Sequence, residues 1–189
     1  MVNRYHGGNY EKLSSVTGKK EEISALHRTP LFEAVEAGHE AIVECLLKRN
    51  ANVNIRDGDG CTTLYTALDE DELDIAEMLL KHHADPNVGN MDIGDDNTLL
   101  AWSASRRKED YVQLLLKYNA DPNIPGKSGL YPLHMAARCG SKSIIQMLLK
   151  SGGDPLLKDP SGKTPIEIAK SNPKSVQAGC VDILEQAMA

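Results

Sequence analysis

Aromatic residues are scarce in this chain of 189 residues: they make up 4% of it, with one tryptophan and one phenylalanine. A single large globular core normally uses more aromatic residues, whereas a core built from many small helices rich in Ala and Leu needs fewer. The remaining composition is that of an average soluble protein, with 41% hydrophobic and 25% charged residues. The composition therefore excludes wholesale disorder.

Long apolar runs, an excess of positive charge and closely spaced cysteines are also absent. No run of 18 apolar residues exists, and the first ten residues lack the apolar stretch of a Sec-type signal peptide. The net charge of -6 disfavours nonspecific binding to nucleic acid, which requires clustered cations. The four cysteines form no C-x-x-C pair, which indicates free thiols in a reducing compartment. We therefore expect an intracellular, cytoplasmic protein, with the nucleus and delivery into a host cell as alternatives.

What the chain does contain is a repeat. Five similar segments begin at Thr29, Thr62, Thr98, Tyr131 and Thr164, with spacings of 33, 36, 33 and 33 residues. In the first four units a Leu-Leu pair starts 17 residues after the first residue of the segment. A fixed period of this length indicates a repeat array.

Each unit contains the signals for a turn, a short helix, a loop and a second helix. The opening Thr is a good N-cap, and the Pro that follows Thr29 and Thr164 suits the first helical position. The first helix is predicted to end at a left-handed glycine in two units, Gly38 and Gly140. The second helix is predicted to end at a residue type that tolerates positive φ: Asn50, His83, Asn119 or Gly152.

These motifs resemble the ankyrin repeat. The resemblance is carried by Thr29-Pro-Leu, Gly38-His39, Leu46-Leu47, Asn-Ala-Asn-Val-Asn at 50–54 and His134-x-Ala136, and it covers most of the chain. It implies an all-α solenoid of stacked helix-turn-helix units with β-hairpin-like turns, in which the hairpins and first helices line a concave groove. It also implies that His134 hydrogen-bonds the backbone of a neighbouring turn, and that Asn54, Asn87 and Asn123 stand where asparagine hydroxylation can occur.

The repeat pattern divides the chain into two parts. Residues 1–22 form an N-terminal tail or a degenerate cap, and residues 23–189 form the ankyrin-repeat domain. We place the repeats at about 25–57, 58–93, 94–126 and 127–159, with a capping repeat at 160–189 in which Pro173 interrupts the pattern. The longer spacing inserts three residues near 90–95. That insertion is either a finger that contacts a partner or a neutral lengthening of the turn.

Several fragments superficially suggest catalysis or metal binding. The Ser-Gly-Lys-Thr at 161–164 lacks the earlier glycine of a phosphate-binding loop, because position 157 is Leu. His82 and His83 have no ligand partners at zinc-site spacing, and the aspartates at 92, 95 and 96 lack the calcium-loop register. The cysteines are better explained as small fillers than as nucleophiles. We predict no catalytic, cofactor-binding or metal-binding residues.

Candidate protein-binding residues are the positions that the repeat scaffold does not need, namely the hairpin residues and the ends of the first helices. The charged ones change sign along the chain, and Trp102 joins them either as a binding hot spot or as packing between helices. The set is Glu36, Asp59, Asp69, Glu70, Asp95, Trp102, Arg106, Arg107, Lys127, Arg138 and Lys163. We interpret the change of sign as a groove that orients a partner of opposite polarity. The alternative is that exposed positions took their charges by chance.

The sequence thus predicts a monomeric, non-catalytic module that binds another protein through the groove and hairpin tips, as an adaptor, scaffold or inhibitor. It predicts neither nucleic-acid nor membrane binding. The alternative is a regulatory or targeting subunit of an enzyme complex, including a bacterial effector that acts on host proteins. A catalytic site in the non-repeat ends is a weaker alternative, because those ends are short and poor in paired functional groups.

Overall fold

The computed structural model describes residues 29–58, 60–88 and 98–189, and the regular elements in these ranges are helices. The helices are α1 (Pro30–Glu36), α2 (Glu40–Lys48), α3 (Thr63–Asp69), α4 (Leu73–Lys81), α5 (Leu99–Ser105), α6 (Glu109–Lys117), α7 (Pro132–Cys139), α8 (Lys142–Lys150), α9 (Pro165–Ser171), α10 (Pro173–Gln177) and α11 (Cys180–Met188). The described residues contain no strand and one isolated antiparallel bridge, between Arg56 and Thr62. The predicted all-α repeat fold is confirmed.

The first helix of each repeat begins where the sequence places a Thr cap. The side-chain oxygens of Thr29, Thr62 and Thr98 each accept a hydrogen bond from the backbone N–H three residues later. In the last repeat the Glu167 carboxylate accepts from both the N–H and the hydroxyl of Thr164. Tyr131, which stands at the Thr position of the fourth repeat, makes no cap hydrogen bond. Each cap satisfies a backbone donor that the helix itself leaves unpaired.

Residues with left-handed backbone end both helices of the full repeats. Gly38 and Gly140 follow α1 and α7 with φ of 65° and 67°, as the sequence predicts. The second helices α2, α4, α6 and α8 are followed by Asn50, His83, Asn119 and Gly152, at φ of 60°, 68°, 64° and 88°. In the second and third repeats, Asp71 and Arg107 occupy the glycine position with φ of 66° and 59°. An L-residue with a Cβ is strained there, so these two positions need a separate explanation.

The helices stack in two layers. In one layer α1 packs on α3, α5 on α7 and α7 on α9, while in the other α2 packs on α4, α6 on α8 and α8 on α11. Apolar side chains such as Val43, Ile75, Leu115 and Ile144 fill the space between the layers and are fully buried. A helix of seven to nine residues is unstable alone, and stacking against neighbouring repeats stabilises it.

The turns before the first helices are hairpin-like. The N–H of Asp57 donates to the carbonyl of Cys61 at 3.0 Å, and the N–H of Asp159 donates to the carbonyl of Lys163 at 2.8 Å. The Asp159 carboxylate also accepts hydrogen bonds from three donors of its own turn, namely the N–H and hydroxyl of Ser161 and the N–H of Lys163. These closed turns match the predicted β-hairpin-like turns.

The fifth unit departs from the pattern where Pro173 predicts a break. Helix α9 ends at Ser171, and Asn172 then caps the short helix α10 by accepting from the N–H of Lys174. Lys170 and Glu185 form an exposed ion pair at 2.9 Å between α9 and α11. The predictions for residues 1–22 and for the insertion near 90–95 lie outside the described residues.

Candidate protein-binding surface

The structure divides the predicted site residues between two edges of the solenoid. The hairpin edge, before the first helices, carries Lys127 and Lys163, while Asp59 and Asp95 lie outside the described residues. The other edge, which we call the loop edge, is formed where the first helices end. It carries Glu36, Asp69, Glu70, Arg106, Arg107 and Arg138. A helix of seven or eight residues separates the two edges, which corresponds to about 10–12 Å.

The loop edge changes sign between the second and third repeats. Glu36 at the end of α1 and Glu70 after α3 are exposed, and so are Arg106 and Arg107 after α5 and Arg138 in the last turn of α7. Asp69 is half-buried. The structure therefore places six predicted charges at equivalent ends of consecutive first helices, with the acidic ones in the first two repeats.

Hydrogen bonds between repeats hold the basic half of this edge. The Cys139 thiol donates to the carbonyl of Ser105 at 3.1 Å, and the Asn172 side-chain amide donates to the carbonyl of Arg138 at 2.6 Å. Each bond joins the end of one first helix to the end of the next. The backbone that carries Arg106 and Arg138 is thus tied across three repeats.

Trp102 lies inside the stack of repeats. Its side chain is 4% exposed, and its ring centroid is 5.8 Å from that of Tyr65 in an edge-to-face contact and 6.5 Å from that of Tyr111 in a stacked one. The Arg106 guanidinium carbon lies 4.7 Å from the indole centroid. The tryptophan therefore packs between helices and supports Arg106.

Polar contacts join the second and third repeats beside this aromatic group. The Lys108 ammonium lies 2.7 Å from the Asp71 carboxylate, which also accepts a hydrogen bond from the Tyr111 hydroxyl. These two donors lower the pKa of the Asp71 carboxyl, and burial together with Asp71 raises the pKa of Tyr111. Asp71 has a strained backbone, but its side chain makes two contacts that a glycine could not make.

Glu77 forms a second connection between the same two repeats. Its carboxylate lies 2.6 Å from the Lys117 ammonium in the next repeat and 3.2 Å from Lys81 in its own helix. The Tyr118 hydroxyl donates to the same carboxylate. Hydrogen bonds from Lys117 and then Lys81 lower the pKa of the Glu77 carboxyl to about 2.

His134 performs the structural task that the resemblance implies. Its side chain is fully buried, and Nε2 lies 2.9 Å from the carbonyl oxygen of Lys163 in the following turn. That distance requires the proton on Nε2, which makes Nδ1 an acceptor, and Nδ1 has no hydrogen-bond partner among the described residues. Burial lowers the pKa of His134, although the Lys163 carbonyl and Asp159 oppose this in part.

The loop asparagines link successive repeats. The Asn54 side chain donates to the carbonyl of His83 and accepts from the N–H of Asp85, and Asn123 makes the equivalent bonds with Gly152 and Asp154. Asn87 accepts from the N–H of Asp121. The asparagines suggested as hydroxylation targets therefore take part in the framework.

The cysteines and histidines that superficially suggested chemistry lie within the described residues, whereas the aspartates at 92, 95 and 96 lie outside them. All four cysteines are free, and burial raises the pKa of the Cys180 thiol, which opposes formation of a nucleophilic thiolate. Among the described residues, no three His, Cys, Asp or Glu side chains are grouped to hold a metal ion. In the same ranges, every helix is too short or too polar to cross a bilayer.

Paired helices stacked through repeated hydrogen bonds define a helical repeat solenoid, and comparison with known proteins identifies the kind. A family model described as "Ankyrin repeats (3 copies)" matches residues 5–90, one described as "Ankyrin repeat" matches residues 95–127, and one described as "Ankyrin repeats (many copies)" matches residues 114–169. The chain belongs to the ankyrin-repeat family. Ankyrin repeats generally mediate protein–protein interaction, and the family is generally non-catalytic.

Relatives share the repeats and extend far beyond them. The chain is 34% identical to mouse Rabankyrin-5 over 80 residues, which is 42% of this chain and 7% of the relative. It is 34% identical to human 2-5A-dependent ribonuclease over 87 residues, covering 46% and 12% of the two chains. It is 37% identical to the chicken Nuclear factor NF-kappa-B p105 subunit over 70 residues, covering 37% and 7%. The chain thus spans only a small part of these relatives.

Proposed function

We propose that this chain is a non-catalytic protein-interaction module that acts as an adaptor, scaffold or inhibitor. The observation that carries the proposal is the loop edge, where exposed acidic side chains in the first two repeats are followed by exposed basic side chains on a backbone that is hydrogen-bonded between repeats. Charges ordered in this way favour one orientation of a partner and disfavour the reverse.

The polar groups that connect the repeats are different from the arginines of the loop edge, and this difference supports the proposal. The capping threonines, His134 and the loop asparagines are used to connect or terminate helices. Arg106, Arg107 and Arg138 stand outside those connections and face solvent. Lys127 and Lys163 extend the proposed surface to the hairpin edge, whereas the buried Trp102 contributes by supporting Arg106.

We further propose that the module acts as a monomer inside the cell. It uses no cofactor and binds neither nucleic acid nor a membrane. The net charge of -6 supports a protein partner over a polyanion, because a nucleic acid would be repelled by the acidic repeats.

Affinity capture from a cell lysate, read by mass spectrometry, tests this function. Wild type is compared with a variant in which Arg106, Arg107 and Arg138 are replaced by Glu, after circular dichroism shows equal helicity. We expect a partner that wild type retains and the variant loses. A partner retained equally by both would contradict the loop edge as the binding surface, and failure of wild type to retain any partner would contradict the function.

A regulatory or targeting subunit of an enzyme is the second candidate. One relative is named a ribonuclease, and this chain matches 12% of its length, so a repeat segment of this kind occurs within a protein named as an enzyme. Assaying the captured partner with and without the purified chain distinguishes the two. A change in the partner's catalytic rate supports the regulatory function, and an unchanged rate with intact binding supports the adaptor.

A further inference from the structure

Four exposed cations lie in the third, fourth and fifth units at the basic half of the loop edge. We define the basic strip as Arg106, Arg107, Arg138 and Lys174, all of which are exposed. Lys174 was not among the residues that the sequence singled out, because it lies in the irregular fifth unit, where the repeat register is lost. Within residues 29–58, 60–88 and 98–189, none of the four side chains forms an ion pair.

The backbone beneath the basic strip is closely packed from the third repeat to the fifth. The bonds from Cys139 to Ser105 and from Asn172 to Arg138 join consecutive helix ends. A Cβ built on Gly140 would lie 3.2 Å from the carbonyl carbon of Lys174, so this glycine allows the fifth unit to approach the fourth. The four cations are therefore carried on one connected framework.

Arg106 is held in place before any partner arrives. Its guanidinium lies over the indole of Trp102, which is itself stacked on Tyr111. A stacked guanidinium keeps its edge available for two parallel hydrogen bonds to a carboxylate, and less side-chain entropy is lost when they form. This geometry favours a carboxylate ligand.

Arg107 occupies a position where the backbone conformation favours glycine. Its φ is 59°, and Gly38 and Gly140 occupy the equivalent position in two other repeats. Strain of this kind is found where the side chain serves a function. Asp71, the other strained residue at this position, makes an ion pair with Lys108, whereas Arg107 makes none with the described residues.

The acidic repeats limit the length of a ligand on this surface. Glu36 and Glu70 occupy the same edge immediately before the basic strip. The strip covers three repeats, which at about 10 Å per repeat corresponds to about 20 Å between its ends, or about six extended residues. A long polyanion would extend onto the acidic repeats and be repelled.

We infer that the basic strip binds a short acidic segment of a partner protein, with Asp or Glu carboxylates against the guanidinium groups of Arg106, Arg107 and Arg138. This inference rests on the proposed protein-binding function and specifies the chemistry of the partner. The acidic repeats then set the direction of the segment, because its acidic part must lie toward the fifth unit.

A labelled peptide tests the inference on the full chain. The probe is a fluorescein-labelled eight-residue peptide of alternating Glu and Gly, and its control has Gln at every Glu position. We expect the Glu peptide to raise the anisotropy at low salt and the Gln peptide to leave it unchanged. Because Trp102 is the single tryptophan, engagement of Arg106 should also alter the intrinsic fluorescence with the same midpoint.

Matched variants locate the binding site. We expect Arg106→Gln and Arg138→Gln each to weaken binding of the Glu peptide by about tenfold, the range of a charge-assisted hydrogen bond. Arg107→Gly should weaken binding without unfolding the chain, because glycine suits its backbone. Lys150→Gln removes one positive charge from the exposed end of α8 and should leave binding unchanged.

Three results would overturn the inference. They are equal binding of the Glu and Gln peptides, equal weakening by Lys150→Gln and Arg138→Gln, and tighter binding of a 20-base-pair DNA duplex than of the Glu peptide. No binding of the Glu peptide, combined with a captured partner that the charge-reversed variant loses, would refute the acidic segment and leave the protein-binding function standing. Failure of wild type to capture any partner would instead refute the proposed function.

Discussion

At the scale of single residues, the backbone shows which side chains the fold requires and which it only tolerates. Gly38 and Gly140 have positive φ, and the sequence predicts both because glycine adopts this backbone without strain. Arg107 has the same backbone geometry but no side-chain ion pair among the described residues to compensate for it. The arginine therefore lowers stability at a position that glycine would suit.

Replacing Arg107 by Gly should stabilise the protein by about 0.5 kcal/mol. The change relieves about 1–2 kcal/mol of left-handed strain and loses about 1 kcal/mol to the greater freedom of glycine in the unfolded chain. Urea unfolding measures the difference. Arg106→Gly is the control: its φ is -91°, so it should lower the free energy of unfolding by about 1 kcal/mol or more. Equal destabilisation by both variants would contradict this account.

His134 should make stability depend on pH near neutrality. Burial lowers its pKa in the folded protein below the ordinary value of 6.5, so between the two values the unfolded chain binds the proton and the folded chain does not. The free energy of unfolding should therefore fall as the pH drops below about 6.5. We expect the thermal midpoint of unfolding to change less between pH 7 and pH 5 in His134→Gln than in wild type. The matched control is His39→Gln at an exposed position, and a slope unchanged in His134→Gln would rule the effect out.

At the scale of elements, the ends of helices were predictable and the contacts between repeats were only partly so. The Thr caps and positive-φ residues follow from local chemistry, and the structure confirms them at Thr62, Asn50 and Asn119. The contacts of Asn123 with Gly152 and Asp154 join residues about one repeat apart. A repeat period indicates that such residues are near each other, but it does not indicate which atoms bond.

Removing one link between loops tests how much these asparagines stabilise the stack. Asn123→Ala loses the bonds at 2.9 Å to the Gly152 carbonyl and at 2.8 Å from the Asp154 N–H. Because both are exposed to solvent, we expect a loss of about 1–2 kcal/mol in the free energy of unfolding. Chemical denaturation should show no comparable loss for Gln146→Ala, an exposed position in the middle of α8. If both alanine variants lost the same amount, the interpretation would be wrong.

The connection through Glu77 should fail in acid. Its pKa is about 2 in the folded protein, against an ordinary value of 4.5, so its contribution is complete above pH 4.5 and is lost as the pH falls toward 2. Glu77→Gln should be less stable than wild type at pH 7 and should lose less stability between pH 4.5 and 2. Unfolding monitored by circular dichroism gives the comparison, with the exposed Glu40→Gln as control. Identical acid profiles for Glu77→Gln and wild type would contradict the role of this carboxylate.

At the scale of the whole molecule, the sequence predicted the solenoid and the change of charge but not the geometry of the charged surface. The period and caps define the repeats, and counting charges by position separates acidic from basic units. The sequence grouped Lys163 with Arg138, whereas the structure places Lys163 just before a first helix and Arg138 in the last turn of one, on opposite edges. It also left Trp102 undecided, because burial depends on Tyr65 and Tyr111 in other helices. Lys174 was missed because its unit departs from the repeat.

Mapping the captured partner onto the chain by two-dimensional NMR tests most directly whether the loop edge is the binding surface. The backbone amide signals of labelled protein are followed as the partner is added. The account predicts that signals shift at the ends of α1, α3, α5 and α7, including Glu70, Arg106 and Arg138, while α4, α6 and α8 keep theirs. Shifts confined to those second helices, with the loop edge unchanged, would contradict the account.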